Sequence, residues 1–167
     1  MYNELTQKDI DKMQAELDDR ILRQRPALIE EVQRTRAFGD LSENYEYKAA
    51  KQAKNRNESR IRYLQNMIKT AKIIEDHSDA GEVGLFDKVT LYLEEDDETM
   101  EVQVCTTVRT DPRRGFVSKE SPLGGAILGH HAGERVTVHV NAQYSYEVEI
   151  RSIEKSTDDG SAPLLSY

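Results

Sequence analysis

Two helical runs meet at a single break, and that break limits what the chain can fold into. On its N-terminal side apolar residues recur at Ile10, Met13, Leu17, Ile21, Leu28 and Val32. On its C-terminal side they recur at Ala50, Ala53, Ile61, Leu64, Ile68 and Ala71. Both series step by threes and fours or their multiples, which is one face of a helix. Between them lies Arg36-Ala37-Phe38-Gly39-Asp40-Leu41-Ser42-Glu43-Asn44-Tyr45. Gly39 can take the left-handed conformation that ends a helix, and Asp or Ser after it can cap the next one. The sequence therefore predicts a long antiparallel helical hairpin. Arms of roughly 30 residues, at about 1.5 Å per residue, reach on the order of 45 Å. The apolar seam is narrow and the other faces are charged, as in a two-stranded coiled coil.

The tip of that hairpin carries two carboxylates, Asp40 and Glu43, whose spacing puts both on one side if they open the second helix. Two readings stand at this point. Asp-x-x-Glu is a capping box, with Asp40 as N-cap and Glu43 reaching back to its amide. It is also a pair of oxygen ligands for a hard cation such as Mg²⁺. Two carboxylates leave most of an octahedral shell to water or to another molecule.

The 167 residues suffice for one or two small domains. A net charge of −8 argues against a general nucleic-acid binder, which shows a basic face. The single cysteine, Cys105, lies in an apolar run and reads as a small core residue rather than a nucleophile. No apolar run approaches the ~20 residues of a membrane span, and no signal-peptide pattern opens the chain. The expectation is a soluble cytoplasmic protein.

Along the chain, residues 1–6 read as a short lead-in, with Thr6 a fair N-cap and Asp9 an imperfect box partner. Pro26 falls inside the first arm and should bend it near residues 22–26. The second arm reads as helix from about Ser42 to Asp76, with the polar residues Lys54 and Asn57 near its seam. Helical periodicity stops at residues 77–82, taken as a linker between a hairpin of residues 1–76 and a second domain of residues 83–155. There the period becomes two: Val89, Leu91 and Leu93; Met100, Val102 and Val104; Val136, Val138 and Val140; Tyr146, Val148 and Ile150. Phe116-Val117-Ser118 adds a short strand. Ser121-Pro122 opens a short helix, with Pro at the favoured first position, and Gly124-Gly125 should weaken it. The fold class is α+β: a coiled-coil hairpin, then an antiparallel sheet of four or five strands with one short helix. Residues 156–167 are polar and are expected to be disordered.

The tip run Gly39-Asp40-Leu41-Ser42-Glu43-Asn44-x-Glu46-Tyr47-x-Ala49-Ala50-Lys51 resembles the signature of the GreA/GreB family of bacterial transcript cleavage factors. The likeness continues through Arg60-Ile61, Ile73-Ile74-Glu75, Ser121-Pro122-Leu123 and Leu128-Gly129. It covers nearly the whole chain, from about Leu5 to Ile153. The resemblance implies a monomer whose hairpin enters the secondary channel of RNA polymerase, and whose FKBP-like second domain docks on the polymerase surface. It implies no membrane and no small-molecule substrate.

By the same resemblance, Asp40 and Glu43 reach the polymerase active site and stimulate cleavage of backtracked RNA, sharing a second Mg²⁺ with the polymerase. The isolated protein is then neither a nuclease nor a holder of Mg²⁺. Arg36, Lys48, Lys51 and Lys54 are candidate contacts to the 3′ end of the extruded RNA; as single residues they also read as a solvated face. Ser121, Pro122 and Leu123 are the candidate polymerase-binding residues. Tyr45 departs from the family, which has a small residue there; its ring either stacks on a base or covers the tip loop. The four histidines, His77, His130, His131 and His139, form no recognisable ligand spacing. A plain coiled-coil scaffold would not need a carboxylate pair at its tip; two further rivals are an inhibitor on the same scaffold that plugs the channel without promoting cleavage, and a prolyl isomerase, because the second domain resembles that fold. Against the latter, the chain has no Trp and its Phe and Tyr are scattered.

Overall fold

The computed structural model describes residues 3–39 and 43–166. Asp40, the first member of the tip pair, lies outside them. The chain divides into two compact units, Ile10–Ala71 and the N-terminal residues to Asp9 together with Lys72 onward.

In the first unit, helix α1 (Gln7–Asp19) runs into a π-helical turn at Arg20–Gln24, α2 (Arg25–Arg36) and, after the break, α3 (Tyr45–Thr70). The irregularity expected at Pro26 takes the form of that π turn. Pro26 sits in the first turn of α2, directly after the π turn, and its missing N–H interrupts the hydrogen-bond ladder there. The amide of Arg25 bonds back to the carbonyl of Arg20, one residue further than in an α-helix. The wider turn leaves Leu22 exposed while Met13 and Leu17 stay buried.

Contacts between the arms fix an antiparallel register. Arg60 forks onto Glu16 at 2.9 and 3.1 Å, Arg20 Nη1 donates to Asn57 Oδ1 at 2.8 Å, and Arg25 forks onto Glu58 at 2.8 and 3.0 Å. Asn57, 4% exposed, is the buried polar seam residue. Such a residue fits one partner only and so pins the register.

The second unit contains the first correction. Residues 72–76 are not the end of the second arm. Ala71 leaves the helix at φ −59, ψ 133, and Lys72–Ile73 (β2) pairs in parallel with Glu4–Leu5 (β1). Lys72 N–H donates to Asn3 O at 2.8 Å and Ile74 N–H to Leu5 O at 2.9 Å. Those long-range bonds override helix propensity, and the short lead-in becomes a strand with Leu5 fully buried.

Five more strands form one sheet in the order β5-β4-β3-β7-β6: β3 Lys88–Leu93, β4 Glu98–Cys105, β5 Phe116–Ser118, β6 Arg135–His139 and β7 Ser145–Glu154. Alternate residues Val89 and Leu91, Val102 and Val104, Val136 and Val138, Val148 and Ile150 face one core, as the period of two predicts. The sheet is mixed rather than antiparallel, because β5 lies parallel to β4. Between them the chain makes two short 3₁₀ turns, Thr107–Arg109 and Pro112–Arg114. This excursion brings Phe116 back beside Gln103 running in the same direction. Gly115 completes it at φ +79, where a Cβ would stand 2.9 Å from the carbonyl oxygen of Glu101. The fold is α+β.

The tail is a second correction. Residues 156–166 are seated rather than disordered. Ala162 is in the core, Leu165 N–H donates to Val108 O at 2.8 Å, and Asp158 forks onto Arg109 at 2.7 and 2.8 Å. Buried Ala162, the acid paired with a buried arginine, and backbone bonds such as that of Ser156 N–H to Asp87 Oδ1 at 2.9 Å hold this segment.

Candidate functional site

At the tip, α2 ends with Ala37 N–H bonded to Gln33 O at 3.3 Å and Phe38 N–H to Thr35 O at 3.2 Å, and Gly39 follows at φ +98. Helix α3 starts at Tyr45, and its N-cap is Asn44. Asn44 Oδ1 accepts from Tyr47 N–H at 3.0 Å, while its Nδ2 donates across the hairpin to Thr35 O at 2.7 Å. One side chain thus caps one arm and ties it to the other. The capping-box expectation for this helix is corrected: the cap role belongs to Asn44, not Asp40. Asn caps a helix as well as Asp does, but the Asp-x-x-Glu spacing points upstream of Asn44.

Glu43 is exposed, one residue before that cap. Arg36, Lys48 and Lys51 are exposed and Lys54 is half-buried; Lys48 and Lys51 lie on the first turns of α3. Arg34 forks onto Glu31 at 2.9 and 2.6 Å. Among the described residues, no group of three His, Cys, Asp or Glu side chains is placed to hold a metal ion. Glu43 is a hard oxygen donor of the kind Mg²⁺ takes, but alone it fills a fraction of the shell.

In the second unit, Ser121 caps helix α4 (Pro122–Ile127), its Oγ accepting from Gly124 N–H at 3.0 Å. Pro122 is exposed, whereas Leu123 is half-buried and packs on the core. Gly124 has a packing reason the sequence did not reveal: a Cβ there would stand 2.0 Å from Ser118 O. The same Ser118 carbonyl accepts from Ser121 Oγ and from Ser121 N–H. The start of α4 is therefore fixed against the end of β5.

Sequence reasoning missed a buried charge cluster. Arg109 is fully buried. Its Nη1 donates to Asp9 Oδ1 at 3.0 Å and to Asp158 Oδ2 at 2.7 Å, and its Nε to Ala162 O at 2.6 Å. Burial alone would lower the Arg109 pKa, but the hydrogen bonds it donates to Asp158 and Asp9, with their charges, outweigh it and raise it. Burial likewise works against the Asp158 carboxylate, yet the Arg109 fork and Gly160 N–H hold it below the usual aspartate value. Asp9 also completes the Thr6 capping box, accepting from Thr6 N–H at 2.9 Å while its own amide donates to Thr6 Oγ1 at 3.2 Å. Cys105 is fully buried and burial pushes its thiol up to about 12, which makes it a core residue. His130 and His131 both face Glu134, at 2.5 and 3.3 Å.

Comparison with known proteins covers both units. Residues 3–73 match the model of the transcription elongation factor N-terminal family GreA_GreB_N, and residues 77–155 match that of the GreA/GreB C-terminal family. Transcription elongation factor GreA of Oenococcus oeni is 37% identical over 153 residues, covering 91% of this chain and 94% of its own. Transcription elongation factor GreA of Mesoplasma florum is 41% identical over 147 residues, covering 87% and 94%. The crystal structure of GreA factor homolog 1 (Gfh1) of Thermus thermophilus aligns over 91% of this chain and 98% of that one at 25% identity, with a TM-score of 0.41 too low to add to the argument. No described helix is long and apolar enough to cross a membrane. With both halves matched and relatives this similar along almost their whole length, the chain belongs to the GreA/GreB family of transcription elongation factors.

Proposed function

We propose that this protein inserts its hairpin tip into the secondary channel of RNA polymerase and stimulates the polymerase's own cleavage of backtracked RNA. One observation carries the reading beyond family membership: Asn44 caps α3, so that helix does not require the tip acids for its stability. Exposed Glu43 stands one residue before that cap, and Asp40, three residues earlier in the sequence, lies outside the described residues. Both are hard oxygen donors, and they would share a Mg²⁺ with carboxylates of the polymerase. Such an ion, when bound, activates the attacking water or stabilises the leaving oxygen of a phosphodiester. Asp40 would ligate it, and Glu43 would complete its water shell or orient the attacking water. Neither binds Mg²⁺ usefully without the polymerase, so the factor donates ligands rather than acting as an enzyme.

Arg36, Lys48, Lys51 and Lys54 face the phosphates of the extruded 3′ end. Their attraction for it is electrostatic and weakens with salt. Ser121, Pro122 and Leu123 dock on the polymerase rim, where exposed Pro122 makes the contact and Leu123 anchors the helix from below. The protein acts as a monomer in the cytoplasm.

The test is RNA cleavage in a stalled, backtracked elongation complex with and without the factor. The proposal expects faster release of the 3′ fragment with the factor, and no cleavage when free RNA meets the factor alone. Slower cleavage with the factor present would establish the channel-plugging reading instead.

A further inference from the structure

Phe38 and Tyr45 stand on either side of the tip break, and they are 57% and 79% exposed. The Tyr45 ring is open to solvent, as a base-stacking face requires. Helix propensity does not call for a tyrosine there. Tyr45 is the first residue of α3, and Tyr is only a middling helix former. Tyr47, two residues on, is half-buried by contrast. Each exposed ring has a cation against it: Lys48 Nζ lies 5.6 Å from the Tyr45 centroid, and Arg34 Cζ lies 5.5 Å from that of Phe38.

An exposed ring with an ammonium group beside it is the chemistry that receives a single-stranded nucleotide. The base stacks on the free ring face and the cation meets the phosphate. Glu43 and Glu46 flank this site and oppose phosphate. Arg34 is drawn toward Glu31 and Glu46, at 2.6 and 3.9 Å, which makes Lys48 the better-placed cation. The geometry points to Tyr45, with Lys48, as a stacking platform for the unpaired nucleobase at the 3′ end of backtracked RNA. This rests on the function proposed above. Glu43 lies two residues before Tyr45, so a base held on this ring brings its own phosphodiester to the acidic end of the tip. Tyr45 is thus a positioning residue for the substrate.

The experiment uses a stalled polymerase complex whose extruded 3′ nucleotide is 2-aminopurine, whose fluorescence falls on stacking. It compares the full-length factor with Tyr45→Leu and Tyr45→Phe, recording quenching and cleavage together. Stacking on an aromatic side chain changes binding by about 1–3 kcal/mol per base on removal, so Tyr45→Leu should slow cleavage of purine-ended RNA about tenfold. Tyr45→Phe should retain both quenching and rate. Pyrimidine-ended RNA should lose less, because its smaller ring stacks less. Quenching equal in wild type and Tyr45→Leu, or absent in both, overturns the platform whatever the cleavage result. Tyr45-dependent quenching without stimulated cleavage keeps the platform and rejects the cleavage function.

Discussion

Asp9 and Arg109 stand 100 residues apart in the chain and meet at 3.0 Å with both side chains fully buried. Asp9 lies in the first turn of helix α1 and Arg109 closes the 3₁₀ turn after β4; with Thr106 Oγ1, which donates to Asp9 Oδ2 at 2.7 Å, this contact helps join the N-terminal end of the unit to its sheet. Removing one member of a buried ion pair leaves the other unpaired and costs about 3–5 kcal/mol. Arg109→Ala should lower the stability of the full chain by that amount, read as a shift in the urea midpoint by circular dichroism. A shift within experimental error would show that water replaces the arginine without penalty.

Asp158, from the tail, is the other acid on Arg109, and it gives the cluster a pH dependence. Its folded-state pKa lies below the usual aspartate value. A depressed carboxylate contributes stability that is fully present above the unfolded value, about 3.9, and is lost as pH falls through the folded one. The melting temperature of the wild type should therefore fall more steeply than that of Asp158→Asn as pH drops below about 4. Parallel curves would contradict the pairing.

Much of the hairpin was legible in the sequence because its information is local and periodic. Apolar residues three and four apart report a buried face whatever they pack on, and alternating Val and Leu report a half-buried strand. The end of α3 was misplaced because residues 72–74 keep helical composition, and only their distant partners Asn3 and Leu5 make them a strand. The parallel β5 and the seated tail were hidden for the same reason: Ala162 and Asp158 carry no local sign of what they meet. At the tip, Asp40 and Glu43 read equally as a capping box or as acid ligands; the cap of α3 is Asn44, equally able, which also bonds the other arm.

Cys105 is fully buried with its thiol raised to about 12. Thiolate is the reactive species, so a disulfide reagent at neutral pH should leave native protein unlabelled and label it on unfolding in denaturant. Rapid labelling of the native chain would show that the core around β4 opens.

Gly124 sits where a Cβ would meet Ser118 O at 2.0 Å, a backbone atom that cannot turn aside. Gly124→Ala should displace α4 and with it exposed Pro122. The expected outcome is weaker competition for polymerase with little change in cleavage at saturating factor, because the tip is untouched. A lower saturating rate at unchanged affinity would assign α4 to the cleavage step instead.

On the proposed function, Asp40 and Glu43 act as acids and not as part of the hairpin's architecture. The direct measurement is cleavage of backtracked RNA by the polymerase complex with wild type, Asp40→Asn and Glu43→Gln at several Mg²⁺ concentrations. Each substitution keeps shape and an oxygen while removing charge, and α3 keeps its Asn44 cap, so fold and binding should persist. The account predicts a loss of at least about tenfold for Asp40→Asn, equal to roughly 1.4 kcal/mol of transition-state stabilisation. Added Mg²⁺ should partly restore it, with a smaller response for Glu43→Gln if that residue orients water. Wild-type cleavage by Asp40→Asn would contradict the account and leave a factor that occupies the channel without contributing to the chemistry.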